Sequence, residues 1–154
     1  MEKDNEIKEF FENLGEIWRD ITAIEFLMRC AIAKKDGDLD KRPEPPYTKD
    51  KIYETYPKSF SHFSFEIVTE KFNKRYSHLA ISPELVHLRD AMAHGIIAEI
   101  NSDGIDRLVK FKEAKEGLKV EFSMSLEQER LAQIRQSLKE IRRSIMKEVD
   151  DKKV

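Results

Sequence analysis

The stretch Leu88-Arg89-Asp90-Ala91-Met92-Ala93-His94-Gly95 sets a cation, a carboxylate and a titratable imidazole among apolar and small residues. Burying such groups is costly unless they are paired or used, so a run built for burial that carries them marks a candidate site. Asp90 and His94 are four residues apart, which makes them neighbours on one face of a helix. A carboxylate there can accept the proton of one imidazole nitrogen and fix the tautomer. Arg89 stands five residues before His94, about 140° round a helix, and its long arm can swing toward the imidazole in a cleft. Together these side chains suit phosphate binding and proton transfer. The planar guanidinium fork donates two parallel hydrogen bonds to a phosphate. Imidazole exchanges protons near neutral pH because its ordinary pKa is already close. Structural readings exist for the same residues. Arg89 can snorkel to the surface or pair with a carboxylate such as Glu25, and His94 can be a cation favoured near a helix end.

The element that positions them reads as a helix from Pro83 to Ile100, opened by Ser82 as N-cap with Pro83 in the first position. Asn101 to Gly104 closes it. At about 100° per residue, Leu85, Leu88, Met92, Ala93, Ile96, Ile97 and Ile100 surround Arg89, which puts Arg89 near the middle of the apolar face. Asp90, His94 and His87 cluster on one flank. Ala91, Gly95 and Ala98 lie largely opposite, and small residues there let a second backbone approach. A helix apolar or small nearly all round is buried on more than one side. Its own chain can wrap it, or a second copy can.

The rest of the chain supplies the frame. Asp4 to Lys35 is one long helix pattern, with Ile7, Phe10, Phe11, Leu14, Ile17, Trp18, Ile21, Ile24, Met28, Ala31 and Ile32 as its core stripe. Glu25 and Arg29 are four apart and form an ordinary surface pair, or Glu25 faces the motif helix and joins Arg89 as a substrate-binding candidate. Gly37, Pro43, Pro45 and Pro46 make Asp36 to Tyr47 a solvated loop. Lys49 to Tyr56 reads as a short helical piece, and Ser61 to Leu79 as a second helix with Phe63, Ile67, Val68, Phe72, Tyr76 and Leu79 on its apolar face. Lys71, Lys74 and Arg75 form a modest basic patch on it. His62 and His78 read as surface residues. Beyond the motif helix the period changes to two. Val109 and Phe111, then Val120, Phe122 and Met124, alternate with other residues about a turn at Lys115-Glu116-Gly117, which reads as a β-hairpin. A lone hairpin is marginally stable, so one face is expected to rest on the helices. Ser125 with Gln128 reads as a capping box opening a last helix with Leu131, Ile134, Leu138, Ile141, Ile145 and Val149 inward. Most of its basic residues, Arg130, Arg135, Lys139, Arg142, Arg143 and Lys147, read as a solvated face, and Asp150 to Val154 as a frayed tail.

With 154 residues the chain is expected to form a single domain, 1–154, large enough to bury a core. A formal net charge of −2 provides no global basic field, which argues against a protein that coats nucleic acid but leaves room for a local basic cleft. The lone Cys30 excludes an intrachain disulfide, and its place on the apolar stripe reads as a buried free thiol. The four histidines are scattered and there is no second cysteine, so no metal site is expected. No Gly-rich phosphate loop appears, and no cofactor is expected. The absence of a secretory pattern and of a long apolar run points to a cytoplasmic protein with no membrane association.

The motif Leu-Arg-Asp-Ala-Met-Ala-His-Gly resembles that of the HEPN domain family (higher eukaryotes and prokaryotes nucleotide-binding), in which an arginine, commonly followed by a polar residue, precedes a histidine by roughly four to six residues. Arg89, Asp90 and His94 match it. The long first helix with Glu25-Phe26-Leu27-Met28-Arg29 is similar to the family's opening helix, and a hairpin followed by a last long helix resembles a bacterial subgroup. The resemblance implies a mainly α fold: an antiparallel bundle of four main helices with a small β-hairpin before the last. It implies a homodimer with motif helices facing each other, so that Arg89 and His94 of both chains line one cleft. Many members are metal-independent ribonucleases of toxin–antitoxin, phage-defence or RNA-processing systems, so RNA and an antitoxin protein are the implied partners. One subgroup has a tyrosine two residues after the histidine. Here that residue is Ile96, which departs from regulation by nucleotide transfer to tyrosine. The expected function is an endoribonuclease. Arg89 would bind phosphate, His94 would move protons and Asp90 would orient His94. Because some members are not catalytic, the alternative is a nucleotide- or partner-binding module.

Overall fold

The computed structural model describes residues 1–99 and 106–150. The turn expected at Asn101–Gly104, the residue Ile100 and the tail 151–154 lie outside them. Four α-helices and one antiparallel sheet follow each other: α1 (Glu2–Lys35), α2 (Phe65–Arg75), α3 (Pro83–His94), β1 (Ile96–Glu99), β2 (Asp106–Ala114), β3 (Gly117–Ser125) and α4 (Gln128–Asp150). The sheet has three strands in the order β1-β2-β3. No described helix is long and apolar enough to cross a membrane. The chain packs as two compact units, one of Met1–Ile21 with Ser82–Glu140, the other of Thr22–Ile81 with the chain from Ile141.

In the first unit the buried apolar side chains include Ile17 and Ile21 of α1, Leu85, Leu88 and Ala91 of α3, Leu108, Val109 and Met124 of the sheet, and Leu131, Ile134 and Leu138 of α4. Each fully buried leucine or isoleucine contributes about 1.5–3 kcal/mol. The stripe of α1 is less buried at its start than its periodicity implies, since Ile7 and Phe11 are exposed. Arg135, read as part of a solvated face, instead donates to the buried Asn13 side chain at 2.5 Å and to Glu16. The capping box also differs. Ser125 Oγ accepts from the Glu127 backbone N–H at 3.3 Å, and the Gln128 side chain reaches Glu9 at 2.5 Å.

The motif helix ends earlier than its apolar period suggests. Gly95 leaves it in extended conformation, at φ −83° and ψ 178°, and the expected helical continuation is strand β1. Ile96, Ile97, Ala98 and Glu99 pair with Val109, Leu108, Arg107 and Asp106. Two β-branched residues in succession favour a strand over a helix end, and β2 offers the pairing edge. The expected hairpin is therefore the larger part of a three-stranded sheet. Its turn falls where expected, with Gly117 at φ 135° supplying the left-handed backbone. Lys110 faces Phe122 and Phe111 faces Val120, so Glu121 is an unpaired bulge residue. The outer half of the hairpin does not rest on the helices, because residues 111–120 are all exposed.

In the second unit, Ile24, Met28, Ala31, Ile32, Phe65, Val68, Phe72, Tyr76 and Ile145 are buried. Ser64, whose hydroxyl accepts from Ile67 N–H, opens α2 later than the apolar period starts. Ile67 is exposed rather than inward. The Phe72 and Tyr76 rings stack at 5.0 Å, and the Tyr76 hydroxyl donates to the Ala31 carbonyl at 2.8 Å. Residues 49–56 hold a turn, a bend and irregular chain, not helix, with Asp50 at φ 67°, a conformation that interrupts any helical turn.

Gly95 has a packing reason to be glycine. A Cβ there would press on the Ala91 carbonyl oxygen and lie 2.9 Å from that of Val109. Gly95→Ala should lower stability by about 1–3 kcal/mol in denaturant unfolding. Gly15→Ala, mid-helix in α1 with nothing within 4 Å of an added Cβ, should raise it by about 0.5–1 kcal/mol.

Candidate functional site

Ser82 accepts from the Glu84 N–H at 3.2 Å and Pro83 takes the first turn, so α3 starts where expected. Its buried residues Leu85, Leu88 and Ala91 step by three and centre the covered face on Leu88. Arg89 lies about 100° from that centre. It is half-buried on the flank, not central to the apolar face. Ala91, read as part of a small face open to a second backbone, is fully buried within the unit. The close backbone neighbour at Gly95 is β2 of the same chain. Ala91 is therefore covered by its own chain, while Gly95 is half-buried against β2.

Asp90 and His94 come together as their spacing implies. His94 Nε2 lies 4.0 Å from Asp90 Oδ1. His94 is at the helix end with its side chain 64% exposed, and Gly95 N–H closes the last turn on the Ala91 carbonyl at 2.6 Å. The other Asp90 oxygen accepts from Lys110 Nζ of β2. Lys110 also pairs with Glu121 at 2.8 Å, and Glu121 stands 4.0 Å from Lys112. The bulge makes this possible, since an extra residue re-aims its side chain. Hydrogen bonds to Asp90 and then to Glu121 hold the Lys110 ammonium above its usual pKa. The bond from Lys110 holds the Glu121 carboxyl below its own. A line of alternating charge thus runs from His94 through Asp90, Lys110 and Glu121 to Lys112.

Lys110 and Glu121 have no forewarning in the sequence. Strand alternation marks Lys110 and Lys112 as one face of β2, but the pairing of that face with α3 is a long-range contact and the bulge has no residue signature. Glu25 belongs to the second unit, where it accepts from Arg29 at 3.0 Å. Arg29 also donates to the carbonyls of Ser59, Ser61 and Phe63 at 2.6, 2.9 and 2.9 Å. The pair is a brace for that segment rather than a surface ornament. In the basic patch of α2, Arg75 is engaged by Asp36 at 2.8 and 2.9 Å, and Lys71 sits over the Phe63 ring. His78 meets Glu148 at 3.0 Å. Cys30 is buried, and burial pushes its thiol pKa up, which disfavours the reactive thiolate.

A cleft of about 490 Å³ in the first unit is lined by Arg107, Ser123, Ser125, Glu127, Arg130 and Gln133 among others. Arg89, Asp90 and His94 are not part of it. Among the described residues, no group of three His, Cys, Asp or Glu side chains is placed to hold a metal ion. Compared with known proteins, the chain matches no family model, no curated protein and no solved structure.

Arg29→Ala should lower stability by about 2–3 kcal/mol in denaturant unfolding, because three carbonyls and Glu25 lose one shared donor. The charge line has its own pH signature. Glu121, lowered from 4.5, contributes stability above that value and loses it as pH falls through its folded pKa. Lys110, raised from 10.5, contributes fully below that value and loses its contribution as pH rises through its folded pKa. Carboxyl NMR should show Glu121 titrating below 4.5, and Lys110→Met should return it upward.

Proposed function

We propose that the chain is a metal-independent endoribonuclease of the HEPN type, acting in the cytoplasm in a toxin–antitoxin, phage-defence or RNA-processing role. The observation that carries the reading is the Asp90–His94 pair at the exposed end of α3, with Arg89 on the adjoining flank of the same turn. The motif resemblance and the mainly helical fold support it. In the proposed reaction the RNA 2′-hydroxyl attacks its own phosphorus, leaving a 2′,3′-cyclic phosphate and a 5′-hydroxyl. That nucleophile is already adjacent to the reacting centre. Arg89 binds the phosphate and stabilises charge developing on its oxygens. His94 accepts the 2′-hydroxyl proton or supplies one to the 5′-oxygen, and Asp90 orients it.

A second copy completes the site in this reading, with one histidine per chain dividing the acid and base roles. With Ala91 covered inside the chain, the surface for that copy is the edge strand β1 beside His94, whose Ile96 and Ile97 are 54% and 49% exposed on its two faces. Where the chain serves as a toxin, an antitoxin protein is its partner. One observation favours the non-catalytic alternative: His94 is largely solvent-exposed within the single chain, as suits a nucleotide- or partner-binding module.

Purified protein incubated with total RNA and EDTA should cleave it. Arg89→Ala and His94→Ala should each abolish cleavage with helix content and melting nearly unchanged. Large destabilisation by Arg89→Ala alone would assign that residue to a structural ion pair instead. Light scattering at roughly tens of micromolar should show a dimer, because the assembly depends on concentration. A monomer there would count against the composite site.

A further inference from the structure

We propose that the face of the β2–β3 arm bearing Lys112 and Lys119 docks the sugar–phosphate backbone of a single RNA strand and leads it to the His94 end of α3. The naming of RNA as the occupant rests on the ribonuclease reading. The surface itself rests on the arm.

Residues 111–120 are exposed, so the fold gains no core burial from either face of this segment. The two faces differ sharply. Phe111 faces Val120 and Glu113 faces Leu118, which makes one side mainly apolar, while Lys112 faces Lys119 directly. Two like charges in direct register destabilise a strand pair. Glu121, 4.0 Å from Lys112, offsets one of the two charges, and the Lys112 side chain is still 69% exposed. An anion bridging the pair offsets the other.

Continuity with the candidate site identifies the anion. Lys112 is two residues from Lys110 and shares its face by strand alternation. Lys110 holds Asp90, and Asp90 adjoins His94 at 4.0 Å. Lys110 itself is shared between Asp90 and Glu121, and Glu121 also stands 4.0 Å from Lys112. Lys112 and Lys119 are thus the two lysines of the paired strands on the face that Lys110 shares, while Glu113 lies on the other face and Lys115 and Glu116 lie in the turn. Two adjacent ammonium groups suit a narrow backbone, and a net charge of −2 lacks the broad basic field that a duplex would call for.

The test uses the full chain and a fluorescent 2′-O-methyl RNA oligonucleotide, which cannot undergo the proposed cleavage, so binding is read apart from catalysis. Anisotropy titrations over a salt series give the dependence of log K on log salt. Each phosphate contact on a single strand contributes about 0.7 to that slope. Lys112→Gln with Lys119→Gln should weaken binding several-fold and reduce the slope by about 1.4. Lys119→Gln alone should reduce it by about 0.7 and serves if the double variant does not fold. Lys8→Gln, an exposed lysine of α1, should leave it unchanged. The proposal is overturned if the wild type does not bind, if the lysine variants keep the wild-type slope, if Lys8→Gln falls equally, or if polyglutamate competes as well as RNA. A protein that binds the probe through this face but cleaves no RNA would refute the ribonuclease reading and leave the docking surface standing.

Discussion

The missing side chain at Gly95 is the constraint on which the candidate site depends. Gly95, where α3 ends, passes so close to the Ala91 carbonyl of its own helix and the Val109 carbonyl of β2 that no Cβ fits. That close approach lets the chain turn from helix into β1 within one residue. It also sets the α3 residues Asp90 and His94 beside β2. A larger residue would separate the helix end from the sheet, and Lys110 would lose its reach to Asp90. The chemistry of the motif and the packing of the sheet are therefore one problem, solved at one backbone position.

Asp90 is divided between two partners, and the division shapes how the site works. One oxygen is taken by the Lys110 ammonium, while the other lies 4.0 Å from His94. The ion pair with Lys110 holds the carboxylate in place against solvent. The His94 ring stays open to water and to an incoming substrate. An imidazole so placed can exchange protons with water or a bound ligand without first breaking a buried contact. Arg89 is half-buried on the neighbouring flank.

Much of the frame was legible from local pattern. The long first helix, the Ser82-Pro83 start of α3, the turn before Gly117 and the buried Cys30 follow from periodicity and from residues with narrow backbone preferences. The adjacency of Asp90 and His94 follows from helix geometry alone. What escaped was set by long-range pairing. Ile96 and Ile97 fit a helical apolar stripe as well as they fit a strand, and only the β2 edge decides between them. Centring the stripe on that false continuation rotated α3 in the sequence reading. Arg89 then came out central, and Ala91 came out as an outward face. Lys110 and Glu121 were hidden because a bulge rearranges their register. Arg135 looked solvated because its partners, Asn13 and Glu16, lie over a hundred positions away in the chain.

The claim at the centre of this account is that Arg89 and His94 cut RNA by activating its own 2′-hydroxyl. Mass spectrometry of the ends left on a defined RNA oligonucleotide, cut by the full chain in EDTA, tests it most directly. The account predicts 2′,3′-cyclic phosphate on one fragment and 5′-hydroxyl on the other, with no cutting of the matching DNA. Fragments carrying 5′-phosphates, or an oligonucleotide left intact, would contradict it.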